Sequence, residues 1–135
     1  MTEGETSILV VEDELPIRAL LMALLSERFD CRAADTAETA IQLLNSQSFH
    51  LVLADIGLPG TSGLELCRLI AAQSRAPVVI LISGKLALES ASEARKAGAF
   101  DFLSKPFDLA DVIAAVDRAL AHQAERSKSN GATNG

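Results

Sequence analysis

The chain has 135 residues, 49% of them hydrophobic, enough for one domain with its own core and too few for two ordinary ones. A net charge of −6, with no basic cluster interleaved with aromatics, argues against a nucleic-acid-binding surface. No apolar stretch reaches the roughly 20 residues of a membrane span, Met1–Thr6 holds no signal-peptide core, and Cys31 and Cys67 have no metal-binding spacing. The expectation is a cytoplasmic protein with two reduced, partly buried thiols. Without Trp or Tyr, its core must rely on Leu, Ile, Val and Ala.

Five strand candidates alternate with five helix candidates, the pattern of a parallel sheet covered on both faces. The first strand is about Ser7–Glu12. Pro16 suits the first turn of a helix whose apolar stripe is Ile17, Leu20, Leu21, Leu24 and Leu25. Cys31–Ala34 is a second strand, with Arg32 pointing to an edge position, and Asp35 or Thr36 can cap the next helix, whose inward face is Ala37, Ala40, Ile41 and Leu44. Leu51–Asp55 is the third strand, followed by the loop Gly57–Thr61 and a capping box made by Ser62 and Glu65. Leu66, Leu69 and Ile70 mark the third helix, and Pro77 opens the most β-branched strand. The fourth helix, about Leu86–Lys96, turns mainly alanines inward and is a candidate moving part; Gly98 ends it. Asp108 can cap a last helix with Leu109, Val112, Ile113, Val116 and Leu120 on its stripe. The expected division is a flexible 1–6, a folded 7–124 and a disordered, Ser-, Asn- and Gly-rich tail over 125–135, which leaves no room for an output domain.

Four apolar runs end in polar residues: Ile8–Val11 in Glu12 and Asp13, Leu51–Ala54 in Asp55, Val78–Ile82 in Ser83, and Phe102–Leu103 in Ser104, Lys105 and Pro106. In open α/β sheets the ligand crevice lies outside the carboxyl ends of the strands. If these strands are neighbours, three carboxylates, a hydroxyl and an ammonium meet there. Gathered like charges need a cation, and Mg²⁺, a hard ion that takes oxygen ligands, fits best. Pro106 biases Lys105 toward an extended conformation and permits a cis Lys105–Pro106 bond, a turn that can aim the ammonium at Asp55.

Glu12-Asp13, Asp55 followed by Leu58-Pro59 and Gly63, Ser83-Gly84 and Lys105-Pro106-Phe107 together resemble the receiver domain of two-component response regulators. The resemblance covers about residues 7–124. It implies a flavodoxin-like (CheY-like) doubly wound α/β fold, a five-stranded parallel sheet in the order 2-1-3-4-5 with five helices. It also implies a regulatory switch rather than an enzyme. Asp55 would accept a phosphoryl group from a sensor histidine kinase or a histidine phosphotransfer protein. Glu12, Asp13, Asp55 and the Gly57 backbone carbonyl would hold Mg²⁺, and Lys105 would pair with the phosphoryl group. Ser83 and Phe102 would be the switch residues, reshaping a fourth helix–fifth strand–fifth helix surface for a downstream protein target. The chain would act as a single-domain regulator or phosphorelay shuttle, touching neither nucleic acid nor membrane.

Gly57 and Lys85, each two residues past a site residue, are positions expected to tune the phosphoryl lifetime. His50 and His122 are read as surface residues away from the site. A phosphatase of the haloacid dehalogenase type would place a second acid where Gly57 stands. A pseudo-receiver that binds partners without phosphorylation stays open at this point.

Overall fold

The computed structural model describes residues 5–84 and 87–134, the side chains of 87–90 and 128–134 excepted. The elements are β1 Ser7–Val11, α1 Leu15–Leu25, β2 Asp30–Ala34, α2 Ala37–Ser46, β3 Leu51–Asp55, α3 Gly63–Ala71, β4 Val78–Ser83, α4 Ala87–Ala97, β5 Asp101–Ser104 and α5 Leu109–Asn134. The strands are all parallel, in the order β2-β1-β3-β4-β5. The alternating pattern predicts the parallel sheet, and the order is the one that the resemblance to receiver domains implies.

The two-residue period of the strands divides the core between the faces. Leu9, Val11, Val52, Ala54, Val79 and Leu81 pack with Ala37, Ala40, Leu66, Cys67, Ile70 and Ala94, the inner residues of α2, α3 and α4. Ile8, Val10, Leu51, Leu53, Ile80 and Ile82 pack with Leu21, Leu25, Val112, Ala115, Val116 and Ala119 of α1 and α5. Burial on both faces explains why β1, β3 and β4 read as continuous apolar runs. β2 lies at the edge, and there Arg32 is exposed.

Of the local signals, the Thr36 cap and the Gly98 stop act as expected. Ser62 and Glu65 make half of the capping box, the Glu65 carboxylate pairing with Arg68 at 3.2 Å instead. The Thr36 hydroxyl caps α2 by accepting from the Thr39 amide at 3.1 Å, and Ser62 Oγ accepts from the Glu65 amide at 3.2 Å. Gly98 closes α4 at φ +104°, where a Cβ would sit 2.9 Å from that of Ala71. Three stripe residues differ from expectation, and one of them, Leu109, is exposed in the first turn of α5, before the buried Val112. Leu20 and Leu69 are exposed, because each lies at the rim of an apolar arc whose centre is held by Leu21 and Leu25, or by Leu66 and Ile70.

Of the tail over 125–135 expected to be disordered, 125–134 continue α5 as helix, and Gly135 lies outside the described residues. Loss of apolar periodicity ends a helix's contact with the sheet, not its backbone hydrogen bonding. Once nucleated on the sheet, the helix propagates at low cost through residues such as Ala124, Glu125 and Arg126. Gln123 donates to Ser127 at 3.0 Å along it, and the Arg126 guanidinium donates to the Ala76 carbonyl. Of the expected flexible segment 1–6, residues 1–4 lie outside the described residues, while the Thr6 carbonyl accepts from the Asp30 amide at 2.9 Å. Among the described residues no helix is long and apolar enough to cross a membrane.

Candidate functional site

Backbone bonds deliver each acidic group to the carboxyl end of the sheet. The Glu12 amide extends the β1–β2 ladder by one bond, donating to the Ala34 carbonyl at 3.0 Å, and this holds the Glu12 side chain at 1% exposure. Asp13 follows it into solvent. Asp55 is the last residue of β3 and is buried; its Oδ1 accepts from the Gly57 amide at 2.9 Å. α3 begins against this turn, where the Gly63 amide donates to the Ile56 carbonyl at 3.0 Å. A Cβ on Gly63 would collide with the Asp55 carbonyl oxygen and lie 2.8 Å from its carbon, so only glycine lets the helix start there.

Lys105 comes from the end of β5. Its amide donates to the Ser83 carbonyl at 2.8 Å, and the Lys105–Pro106 peptide is cis. The Nζ atom lies 2.7 Å from Asp55 Oδ2, 3.2 Å from Glu14 Oε1 and 3.3 Å from Glu12 Oε1. Burial by itself would lower the ammonium's pKa. The hydrogen bonds to Asp55 and Glu14, with the charges of Asp55 and Glu12, outweigh it and hold Lys105 well above the usual lysine range. The Glu12 carboxyl is raised as well, which for an acid disfavours the charged form. Burial pushes its carboxyl up to about 7, with the Asp55 charge adding to the effect and the Glu14 amide and Lys105 opposing it.

Carboxylate oxygens of Glu12, Asp13 and Asp55 all lie within 4.8 Å of one another. Glu12 Oε1 is buried and accepts no hydrogen bond. A cluster of hard oxygen donors with one buried acceptor unsatisfied suits a divalent cation of the Mg²⁺ type. The donor set therefore fits the ion expected from sequence.

Glu12, Asp13, Asp55 and Lys105 thus converge, as their strand-end positions predict. Ser83 is buried at the end of β4, in register with Ser104 and one residue past Ile82, the partner of Asp55. Gly57 is exposed beside the Asp55 carboxylate, where a Cβ would sit 3.6 Å from Oδ1. Phe102 on β5 is half-buried against the α2–α3–α4 side of the core. It lines a cavity of about 160 Å³ with Ala91, Ala94, Arg95, Ala99 and Phe100. Lys85 lies outside the described residues. His122 is exposed and stacks on Phe100 with ring centroids 4.9 Å apart. His50 is half-buried rather than a surface residue, because its Nδ1 accepts from the Ser7 amide at 3.1 Å at the opposite end of the sheet. Glu14, the third carboxylate on Lys105, was missed: an acid at a helix start has no spacing that sets it apart.

A five-stranded parallel sheet in this order, with acids and a lysine at its carboxyl ends, is the arrangement that the resemblance to receiver domains implies. The family described as "Response regulator receiver domain" matches residues 8–117, and the chain belongs to that family. It is 36% identical over 129 residues to the DNA-binding transcriptional regulator NtrC of Proteus hauseri, covering 95% of this chain and 27% of the relative. It is 42% identical over 102 residues to the response regulator protein PilR of Pseudomonas aeruginosa, covering 75% of this chain and 23% of that one. The chain spans about a quarter of the length of these relatives. The receiver domain of an HD domain-containing protein from Pseudomonas fluorescens superposes with a TM-score of 0.86 at 31% identity, covering 92% of this chain and 93% of that one. NtrX from Brucella abortus also gives a TM-score of 0.86, at 35% identity, covering 94% of this chain and 29% of that one.

Proposed function

We propose that Asp55 is the phosphoryl acceptor of this receiver domain, loaded from a phosphohistidine on a sensor kinase or a phosphotransfer protein in the cytoplasm. The observation that carries this reading is the placing of Asp55, buried at a strand end between Lys105 at 2.7 Å and the Glu12–Asp13 acids. In the transfer, an Asp55 carboxylate oxygen forms a bond to phosphorus as the bond from phosphorus to the donor imidazole breaks. There is little covalent chemistry for the protein to do, so its part is alignment and neutralisation of charge. The Gly57 amide holds one carboxylate oxygen, and Lys105 supplies a fixed cation beside the other. Glu12, Asp13, Asp55 and the Gly57 carbonyl would hold Mg²⁺, which when bound contributes further positive charge at the transferring oxygens.

The switch follows from the acceptors that the new phosphoryl group offers. Ser83 and Lys105 are the donors placed to answer it, and movement of Ser83 makes room for the Phe102 ring. The cavity along α4 and β5 gives that ring and the helix room to rearrange. Shifting a two-state equilibrium from mostly off to mostly on takes about 5.5 kcal/mol. Two or three charge-assisted hydrogen bonds at roughly 1.5–3 kcal/mol each supply it. The output is an altered α4–β5–α5 surface for a protein target. The receiver domain acts as a single-domain regulator or phosphorelay shuttle, and the chain's net charge of −6 disfavours direct contact with nucleic acid.

Incubation with acetyl phosphate and Mg²⁺, followed by intact-protein mass measurement, tests this. A labile gain of one phosphoryl group that Asp55→Asn abolishes is the expected result. Retention of the gain in Asp55→Asn would move the acceptor elsewhere, and steady turnover of small phosphate esters would favour a phosphatase.

A further inference from the structure

A lysine ammonium has three N–H donors. In Lys105 two carboxylates accept from them, Asp55 at 2.7 Å and Glu14 at 3.2 Å, while Glu12 stands in ion-pair range at 3.3 Å. Asp55 and Glu12 belong to the carboxylate group able to hold a cation, whereas Glu14 does not. Glu14 is the N-cap residue of α1, but its side chain caps no backbone amide, so the helix start makes no use of its carboxylate. Its own amide donates to Glu12 Oε2 at 3.1 Å, which fixes the backbone of Glu14 against the acidic cluster. The side chain is 59% exposed and so stands at the rim of the site, with its carboxylate turned onto Lys105.

We propose that Glu14 is a positioning residue that retains the Lys105 ammonium at the rim and thereby restrains loading of Asp55, an inference that rests on the acceptor reading above. A phosphoryl donor is an anion. To pair with Lys105 it must approach past the Glu14 charge at the rim and draw the ammonium away from that carboxylate. Asp55 and Glu12 would turn to a cation when one is bound, whereas Glu14 lies outside that group and would keep its hold on Lys105. The restraint is electrostatic and solvent-facing, so it weakens as salt is raised.

Glu14→Gln keeps the shape and removes the charge, and an exposed residue that caps nothing tolerates it. Two readouts are needed. In metal-free protein, acetic anhydride should acetylate Lys105 roughly two- to fivefold faster relative to Lys96, the range an exposed ion pair supports. With Mg²⁺ present, the acetyl phosphate concentration giving half-maximal loading of Asp55 should fall by a similar factor at low salt, and the difference should shrink at high salt. The maximal rate should stay the same. Unchanged labelling of Lys105 overturns the inference, and so does faster labelling with an unchanged half-saturating concentration. If neither protein takes up phosphoryl on Asp55, the acceptor reading fails and the restraint with it. The labelling then tells that failure apart from the absence of a Glu14–Lys105 hold.

Discussion

The two ends of the sheet are built on different terms. At the carboxyl end the buried polar side chains gather: Glu12, Asp55 and Ser83, with Lys105 nearly buried among carboxylates. At the amino end the polar work is done by neutral or exposed groups. His50 Nδ1 accepts from the Ser7 amide at 3.1 Å, the His50 amide donates to the Ser7 carbonyl at 2.9 Å, and Arg126 reaches the Ala76 carbonyl from the surface. One end satisfies its hydrogen bonds within the fold. The other holds charges close together with a buried oxygen left without a hydrogen bond. Clustered buried charge costs stability unless it is neutralised, so the carboxyl end is where the fold gives up stability for chemistry.

Removing the central cation should break this comparison most severely. Lys105→Ala leaves Asp55 and Glu12 facing each other and should destabilise the metal-free protein by about 2–4 kcal/mol at pH 8. The loss should be smaller at pH 5, where Glu12 is protonated. Urea unfolding followed by circular dichroism measures it in a chain without Trp or Tyr.

Glu12→Gln should act in the opposite direction. The Glu12 carboxyl is raised in the folded state from 4.5 to about 7, so its contribution to stability is present below about 4.5 and is lost as pH rises through about 7. Gln mimics the protonated form. It should therefore stabilise the metal-free protein at pH 8, by roughly 1–2 kcal/mol, and give little gain at pH 4.5. The same substitution should weaken stabilisation by added Mg²⁺, read as a smaller rise in melting temperature.

Arg126→Ala, at the other end, should cost less than about 1 kcal/mol, as an exposed hydrogen bond does, with no change in that cost between pH 5 and pH 8. A large or pH-dependent loss there would erase the contrast between the two ends.

Much of this was legible in the sequence because strand ends announce themselves. An apolar run closing on Asp55, Ser83 or Lys105 gives both the strand and the residue at its mouth, and Thr36, Ser62 and Gly98 mark helix boundaries through local chemistry. What was not legible depends on direction and distance across the fold. Leu20 and Leu69 carry the composition of a core stripe, yet their rotation about the helix places them at its rim. The continuation of α5 past Glu125 has no apolar signal, since helix propagation needs none. His50 shows nothing of its bond to Ser7, 43 residues earlier.

The order of residues along the chain determined the fold class and which groups stand at the carboxyl ends of the strands, because periodicity and capping are properties of neighbours in sequence. Tertiary structure alone decided that Lys105 is shared by three carboxylates, that Gly63 must lack a side chain because the Asp55 carbonyl occupies its space, and that Glu12 is displaced to about 7. Those facts come from desolvation and from separations of a few ångströms between residues far apart in the chain, and such distances exist only once the strands have paired.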